Sequence, residues 1–333
     1  MPDSREKRLQ QALFRGESLH LENAEYLAAV RTFTAELLSS DVGCGDLTAK
    51  ALGLKDDGAS AHVIAKTPGI AAGVSEFAWL LSQGGLRVQV RKQDGEEIAR
   101  GELLIEVHGR RRDLLVYERV GLNIVQRMSG IATMTRHLQD RVKAKSTVTF
   151  VVGTRKTPWG LLDKRAVHLG GGGTHRLGLW DAILVKNNHL ALLAGREEEA
   201  APIAARRAWA SRGAAAFIEI EVRGSESALA AARTFRSLHE EDGNTHSHEA
   251  PEAACPCLLM LDNIAPTEVS RILDALRSEG LLEHVLIEAS GNISGGNLEA
   301  YAECGVDAIS VGALTHSVQA LDVSETFLQQ KLS

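Results

Sequence analysis

Aromatic residues make up only 4% of this chain of 333 residues, so its interior has to be built from aliphatic side chains. No segment is apolar for long enough to span a bilayer, and the opening MPDSREKRLQQALFRGESLH lacks the hydrophobic stretch of a secretory signal. No membrane association is expected. Cysteine is scarce and scattered, at Cys44, Cys255, Cys257 and Cys304, which fits a reduced, cytoplasmic protein better than a disulfide framework. Positive charge is in deficit, with 37 Lys and Arg against 43 Asp and Glu and a pI of about 6.1. Nucleic acid would ask for a basic face spread over a domain, and this balance speaks against it.

One stretch reverses that balance. GTRKTPWGLLDKRAVHLGGGGTHRLGLWDAILVKNNH, from Gly153 to His189, carries Arg155, Lys156, Lys164, Arg165, Arg176 and Lys186 with His168, His175 and His189, against only Asp163 and Asp181. A cationic island in an acidic chain suits a small, highly charged anion. Its four glycines, Gly170 to Gly173, would let backbone approach a ligand closely. No Gly-Lys-Ser/Thr follows them, so this is not a Walker-type loop.

The length of the chain implies two domains. Apolar spacing predicts helix from Ser4 to Ser39, then a turn-rich loop at Asp41–Asp46. AHVIAK, LRVQVRK and ELLIEVHG alternate as strands do, with Asp94-Gly95 as a hairpin turn, giving a small N-terminal α+β domain with a largely antiparallel sheet. Asp113 to Lys143 reads as helix interrupted around Ser129-Gly130, with Leu114, Val120, Ile124, Met128 and Leu138 buried and Arg127 in a surface ion pair. Beyond Ser146 the runs VTFVV, AILVK, FIEIEV, CLLML, HVLIEA and DAISVG alternate with helix-length stretches, as parallel βα units do. They end at Arg155-Lys156, Lys186, Glu221, Asp262, Ser290-Gly291 and Gly312. Ligands bind at strand C-termini in a barrel and in a doubly wound sheet alike, and periodicity does not separate the two. Arg236 to Cys257 is a long polar segment with His239, His246, His248, Cys255 and Cys257; its spacing fits no common zinc pattern, and it reads as a mobile surface loop.

The Gly153–His189 stretch resembles the core of the quinolinate phosphoribosyltransferases. The similarity continues through DVGCGDLT, ERVGLNIVQRMSGIATMT, FIEIEV, LLMLDNIAP, IEASGNI and DAISVGALTHS, from about Asp41 to Glu325. It implies an N-terminal α+β sandwich-like domain over residues 1–118, completed by C-terminal residues, an incomplete α/β barrel of six or seven parallel strands over 119–325, and a tail over 326–333. The implied reaction moves phosphoribosyl from phosphoribosyl pyrophosphate (PRPP) to quinolinate with loss of CO₂, giving nicotinate mononucleotide for NAD biosynthesis. Such chemistry needs cations for phosphates and carboxylates, Mg²⁺, and carboxylates near the ribose. By resemblance, Arg155, Lys156, His175, Arg176 and Lys186 hold quinolinate, joined by Arg119 from the neighbouring subunit of a homodimer, with higher assembly left open. Lys156 and Lys186 also reach PRPP, and Glu221 and Asp262 serve the ribose and Mg²⁺. Glu219 faces the same way as Glu221 and is not ranked against it by spacing alone. The loops with Ser290, Gly291 and Asn292 and with Gly312 and Ala313 take the 5′-phosphate. Lys156, Lys186, Glu221 and Asp262 form the catalytic set.

The sequence departs from the family pattern at Asn187, where aspartate is usual, at Gly153, at Trp159-Gly160, and at Asn292, where glycine is frequent. Two other readings stand beside the main one: a related phosphoribosyltransferase for another pyridine or acidic heterocycle, and a non-catalytic ligand-binding homologue.

Overall fold

The computed structural model describes residues 4–55, 57–245 and 255–328. The chain forms two compact units and crosses between them several times. One holds the described residues up to Arg15, Leu138–Lys156 and Gly172–Ala313; the other holds Gly16–His137, Thr157–Gly171 and the described residues from Leu314 onward.

In the second unit, Val323–Phe327, Gly58–Ala65, Leu103–Arg110 and Arg87–Val90 form, in that order, a four-stranded antiparallel sheet. Alternation along Gly58–Ala65 turns Ala61, Val63 and Ala65 into a core shared with Phe77 and Leu81 of the helix Val74–Gln83 and with Leu114, Leu122 and Val125 of the helix Arg111–Lys143. The α+β character expected of the N-terminal region is present. Asp94-Gly95 is not a hairpin turn, because Arg87–Val90 pairs with Leu103–Arg110 whereas Glu97–Ile98 pairs with Gly69–Ile70. The Asp94 carboxylate instead accepts the N–H groups of Val74 at 2.9 Å and Ser75 at 3.3 Å, capping a helix start.

Two helix expectations change. The single helix over residues 4–39 is two, Ser4–Leu13 and Ala24–Val42, because Asn23 caps the second by accepting from Glu25 and Tyr26 N–H. The break expected at Ser129-Gly130 does not occur. The Ser129 hydroxyl exchanges hydrogen bonds with the Ala72 main chain, and a Cβ at Gly130 would lie 2.1 Å from the Gln319 carbonyl oxygen. That glycine serves close packing. Arg127 is no surface ion pair either: it donates to buried Asp163 at 2.9 and 2.8 Å and to the Thr315 carbonyl at 2.8 Å, beneath the Trp159 ring.

In the first unit all six apolar runs are parallel strands: Phe150–Val152, Ile183–Val185, Ile218–Val222, Cys257–Asp262, Leu286–Ser290 and Ala308–Ser310. The first pairs with the sixth, and the others follow one another in chain order from second to sixth. The seam lies between first and second, where Gly173 makes a single parallel bridge to Val152. The sheet is thus an incomplete barrel of six strands. Helix Ser4–Leu13 packs Leu9, Ala12 and Leu13 against Phe217, Leu258, Leu286 and Ala308, residues at or just before the strand starts. Arg5 fixes it by donating to Asp307 and the Leu282 carbonyl. The barrel floor is therefore apolar and closed, leaving the polar residues to the other end of the strands.

The glycine run also serves packing. A Cβ at Gly170 would lie 2.4 Å from the Ala132 carbonyl oxygen, and one at Gly173 would lie 2.7 Å from Val152. Protein atoms, not a ligand, require glycine at these two positions.

Candidate active site

Strand C-termini bring one set of expected residues to a common rim. Arg155 and Lys156 follow the first strand, Lys186 the second, Glu221 ends the third short of Val222, Asp262 the fourth, Ser290 the fifth, and Gly312 and Ala313 follow the sixth. Arg119 belongs to the other unit, with 56% of its side chain exposed and Glu118 at 3.9 Å.

The cations come from the segment after the seam. Arg176 is buried, and its Nη1 donates to the Ala182 carbonyl at 3.4 Å. Burial, and then the neighbouring charge of Arg155, lower its pKa, while Glu219 and Asp181 act the other way. Two guanidinium groups therefore face each other's field, an arrangement that an anion with two carboxylates relieves. His175 precedes Arg176 in the left-handed region, at φ 55, and its Nδ1 accepts the Arg176 N–H at 2.7 Å.

Beneath the rim lies an acid pair. The inward face of Ile218–Val222 carries Glu219 and, one step nearer the rim, Glu221; that of Leu286–Ser290 carries Glu288 and then Ser290. Glu219 and Glu288 are fully buried, at 3.0 Å and 3.3 Å from His175 Nε2. Burial, then the charge of Glu288, push the Glu219 carboxyl up to about 7. Glu221 does something different: it accepts the Asn187 N–H at 3.3 Å. The Asn187 side-chain oxygen accepts from Asn188 N–H at 2.7 Å, a local cap that aspartate could make equally well. Asp262 accepts from the Asn263 amide at 3.0 Å and lies 3.6 Å from Arg223.

The loop after the fifth strand is set by asparagine and glycine. Asn263 and Asn292 both have positive φ, 57 and 50, a region asparagine tolerates, which accounts for asparagine at 292 in place of the expected glycine. The Asn292 amide donates to Asn263 at 2.8 Å. Gly291 has φ 88, and a Cβ there would lie 2.5 Å from the Asn263 side chain. Ser310 donates to Ser290 at 2.8 Å, linking the last two strands at the rim.

Sequence reasoning missed Glu288, Asn263, Ser310 and Arg223. Glu288 left a signal, a carboxylate inside the apolar run HVLIEA, just as Glu219 sits inside FIEIEV.

Two groups bear on metals. Glu221 and Asp262 end paired strands and offer hard oxygen donors of the kind Mg²⁺ takes. His175, Glu219 and Glu288 are the group of three metal-capable side chains found among the described residues. The Nδ1 of His175 is already an acceptor, so the ring proton sits on Nε2, where a metal would need a bare lone pair. In the polar segment, His239 turns Nε2 toward Cys257 at 3.7 Å and Nδ1 toward His284 at 3.4 Å, opposite sides of one ring that cannot converge on a single ion. Burial raises the thiol of Cys255 to about 11 and that of Cys257 well above its ordinary value, keeping both protonated. His246 and His248 lie outside the described residues.

An apolar floor, a buried acid layer and a rim of paired cations and carboxylates define an α/β-barrel protein for a small polyanionic ligand. The models of the quinolinate phosphoribosyl transferase N-terminal and C-terminal domains match residues 46–129 and 131–325. The chloroplastic nicotinate-nucleotide pyrophosphorylase (carboxylating) of Oryza sativa is 35% identical over 299 residues, 86% of this chain and 74% of the relative. A quinolinate phosphoribosyltransferase (decarboxylating) of Nicotiana tabacum is 33% identical over 86% of this chain and 79% of its own length. The solved nicotinate-nucleotide pyrophosphorylase from Francisella tularensis superposes with a TM-score of 0.73 at 29% identity, covering 90% of this chain and 96% of that one. The chain belongs to the quinolinate phosphoribosyl transferase family.

Proposed function

We propose that this protein transfers the phosphoribosyl group of PRPP to quinolinate and releases pyrophosphate and CO₂, forming nicotinate mononucleotide in cytoplasmic NAD biosynthesis. The reading is supported by Arg176, buried and lowered in pKa first by burial and then by the charge of Arg155, which follows the first strand on the rim that also carries Glu221 and Asp262. A dicarboxylate needs two cations held close together, and a monocarboxylate would leave one of them facing the other.

Arg155, Arg176, Lys156, His175 and Lys186 orient the ring so that its nitrogen faces the ribose carbon. Arg119 of a second subunit completes that set in a homodimer. Lys156 and Lys186 also face PRPP, while Ser290, Gly291, Asn292, Gly312 and Ala313 hold the 5′-phosphate. Glu221 and Asp262 sit by the ribose hydroxyls and stabilise the positive charge that grows on the sugar as pyrophosphate leaves. These two carboxylates would hold Mg²⁺, which when bound would supply charge neutralisation for the departing pyrophosphate. Once the ring nitrogen is alkylated its positive charge stabilises the carbanion left at C2 as CO₂ departs, so decarboxylation asks of the protein that the remaining carboxylate stay neutralised and that a proton from solvent reach C2.

Arg176→Ala tests the carboxylate assignment. It should abolish quinolinate binding in calorimetry while leaving the circular dichroism spectrum unchanged; normal binding by this variant would contradict the reading.

A further inference from the structure

Glu219 and Glu288 present a physical problem. Both side chains are fully buried, and none of their four carboxylate oxygens has an aligned hydrogen-bond partner among the described residues. Carboxylates inside a barrel carry a large desolvation cost, and apolar residues of similar size would serve stability better. Stability alone does not account for them. Among the described residues, both acids approach His175 Nε2, at 3.0 Å and 3.3 Å.

His175 is itself held in an unusual state. Its φ of 55 is in the left-handed region, which a non-glycine residue adopts only when its surroundings fix it. Its Nδ1 takes the N–H of Arg176, so the ring orientation sets where the Arg176 main chain lies. One of the two acids also acts on the guanidinium: Glu219 counters the repulsion that Arg155 exerts on Arg176. Strand geometry places the acids one step below Glu221 and Ser290, so they act from beneath the rim.

We infer that Glu288, together with Glu219, is a positioning residue for the dicarboxylate substrate: the two buried carboxylates fix the His175 ring, the ring fixes the Arg176 main chain, and Arg176 is thereby held against Arg155. This deepens the proposed function and rests on quinolinate being the substrate. A purely structural acid pair would affect the melting temperature and leave substrate affinities alone. A positioning pair should do the reverse, and only for the substrate that Arg176 grips.

The test uses full-length protein, with quinolinate binding measured by calorimetry, KM for each substrate and melting temperature. Glu288→Leu should melt at or above the wild-type temperature, bind quinolinate about tenfold more weakly or worse, and keep its PRPP KM within about twofold. Glu288→Gln, nearly isosteric, should lose affinity less than Glu288→Leu and covers the case in which the leucine does not fold. His175→Asn, which tolerates positive φ, should weaken quinolinate binding, and adding Glu288→Leu to it should change affinity by less than about twofold, since both act through one ring. Wild-type quinolinate affinity in both Glu288 variants, equal shifts in both KM values, or additive losses in the double variant would overturn the inference and leave the proposed function standing. Wild-type protein that does not bind quinolinate would remove both together.

Discussion

Buried charge governs this protein residue by residue. Asp163 has no exposed side-chain surface and is held by Arg127, with the Thr157 hydroxyl also donating to it, so Arg127→Leu leaves a buried carboxylate without its cation. The expected loss is about 3–5 kcal/mol in urea unfolding, far more than for a surface pair. His239 gives a pH prediction. Burial, then the charge of His284, depress it from 6.5 to about 4, so the folded state resists the proton that the unfolded chain accepts. Its contribution is complete above pH 6.5 and is lost as pH falls toward 4. Stability followed by denaturant unfolding should decline across that window, and His239→Phe should remove a component of up to roughly 1.4 kcal/mol per pH unit. An unchanged slope in His239→Phe would place the transition in other groups. Rim residues such as Glu221 and Asp262 were legible in the sequence because they end apolar runs. The role of Glu288 was not, because the histidine that explains it is distant in sequence and meets it only after the barrel closes.

Elements were legible in proportion to how local their causes are. The six barrel strands were readable because strands buried on both faces are apolar throughout, and all six formed. Helix ends and turns were less so. Asp94-Gly95 has hairpin composition, yet the Asp94 carboxylate is used to cap Val74–Gln83. Gly130 has the look of a helix breaker, yet a carbonyl from Gln319 presses against it inside a continuous helix. The same contact makes a prediction. Glycine to alanine in a helix interior normally gains about 1 kcal/mol, but Gly130→Ala should instead lose about 1–3 kcal/mol, because the obstacle is backbone and cannot rotate away. A melting temperature equal to or above that of the wild type would show that the two segments separate without cost.

At the scale of the whole molecule, the barrel puts an apolar plug at one end of its strands and paired cations with paired acids at the other. Among the described residues no helix is long and apolar enough to cross a membrane. Fold class and family were visible in the sequence because long stretches keep their order. That C-terminal residues complete the small sheet, as Val323–Phe327 does, came from the family resemblance and not from the residues themselves, because the strand joins through main-chain bonds that carry no side-chain signature. The most direct test of the central claim is one assay of purified protein with quinolinate, PRPP and Mg²⁺, following nicotinate mononucleotide and CO₂, beside a parallel reaction with nicotinate. The paired-arginine rim predicts product and CO₂ from quinolinate and none from nicotinate. Turnover of nicotinate instead, or quinolinate binding without turnover in the complete mixture, would contradict it.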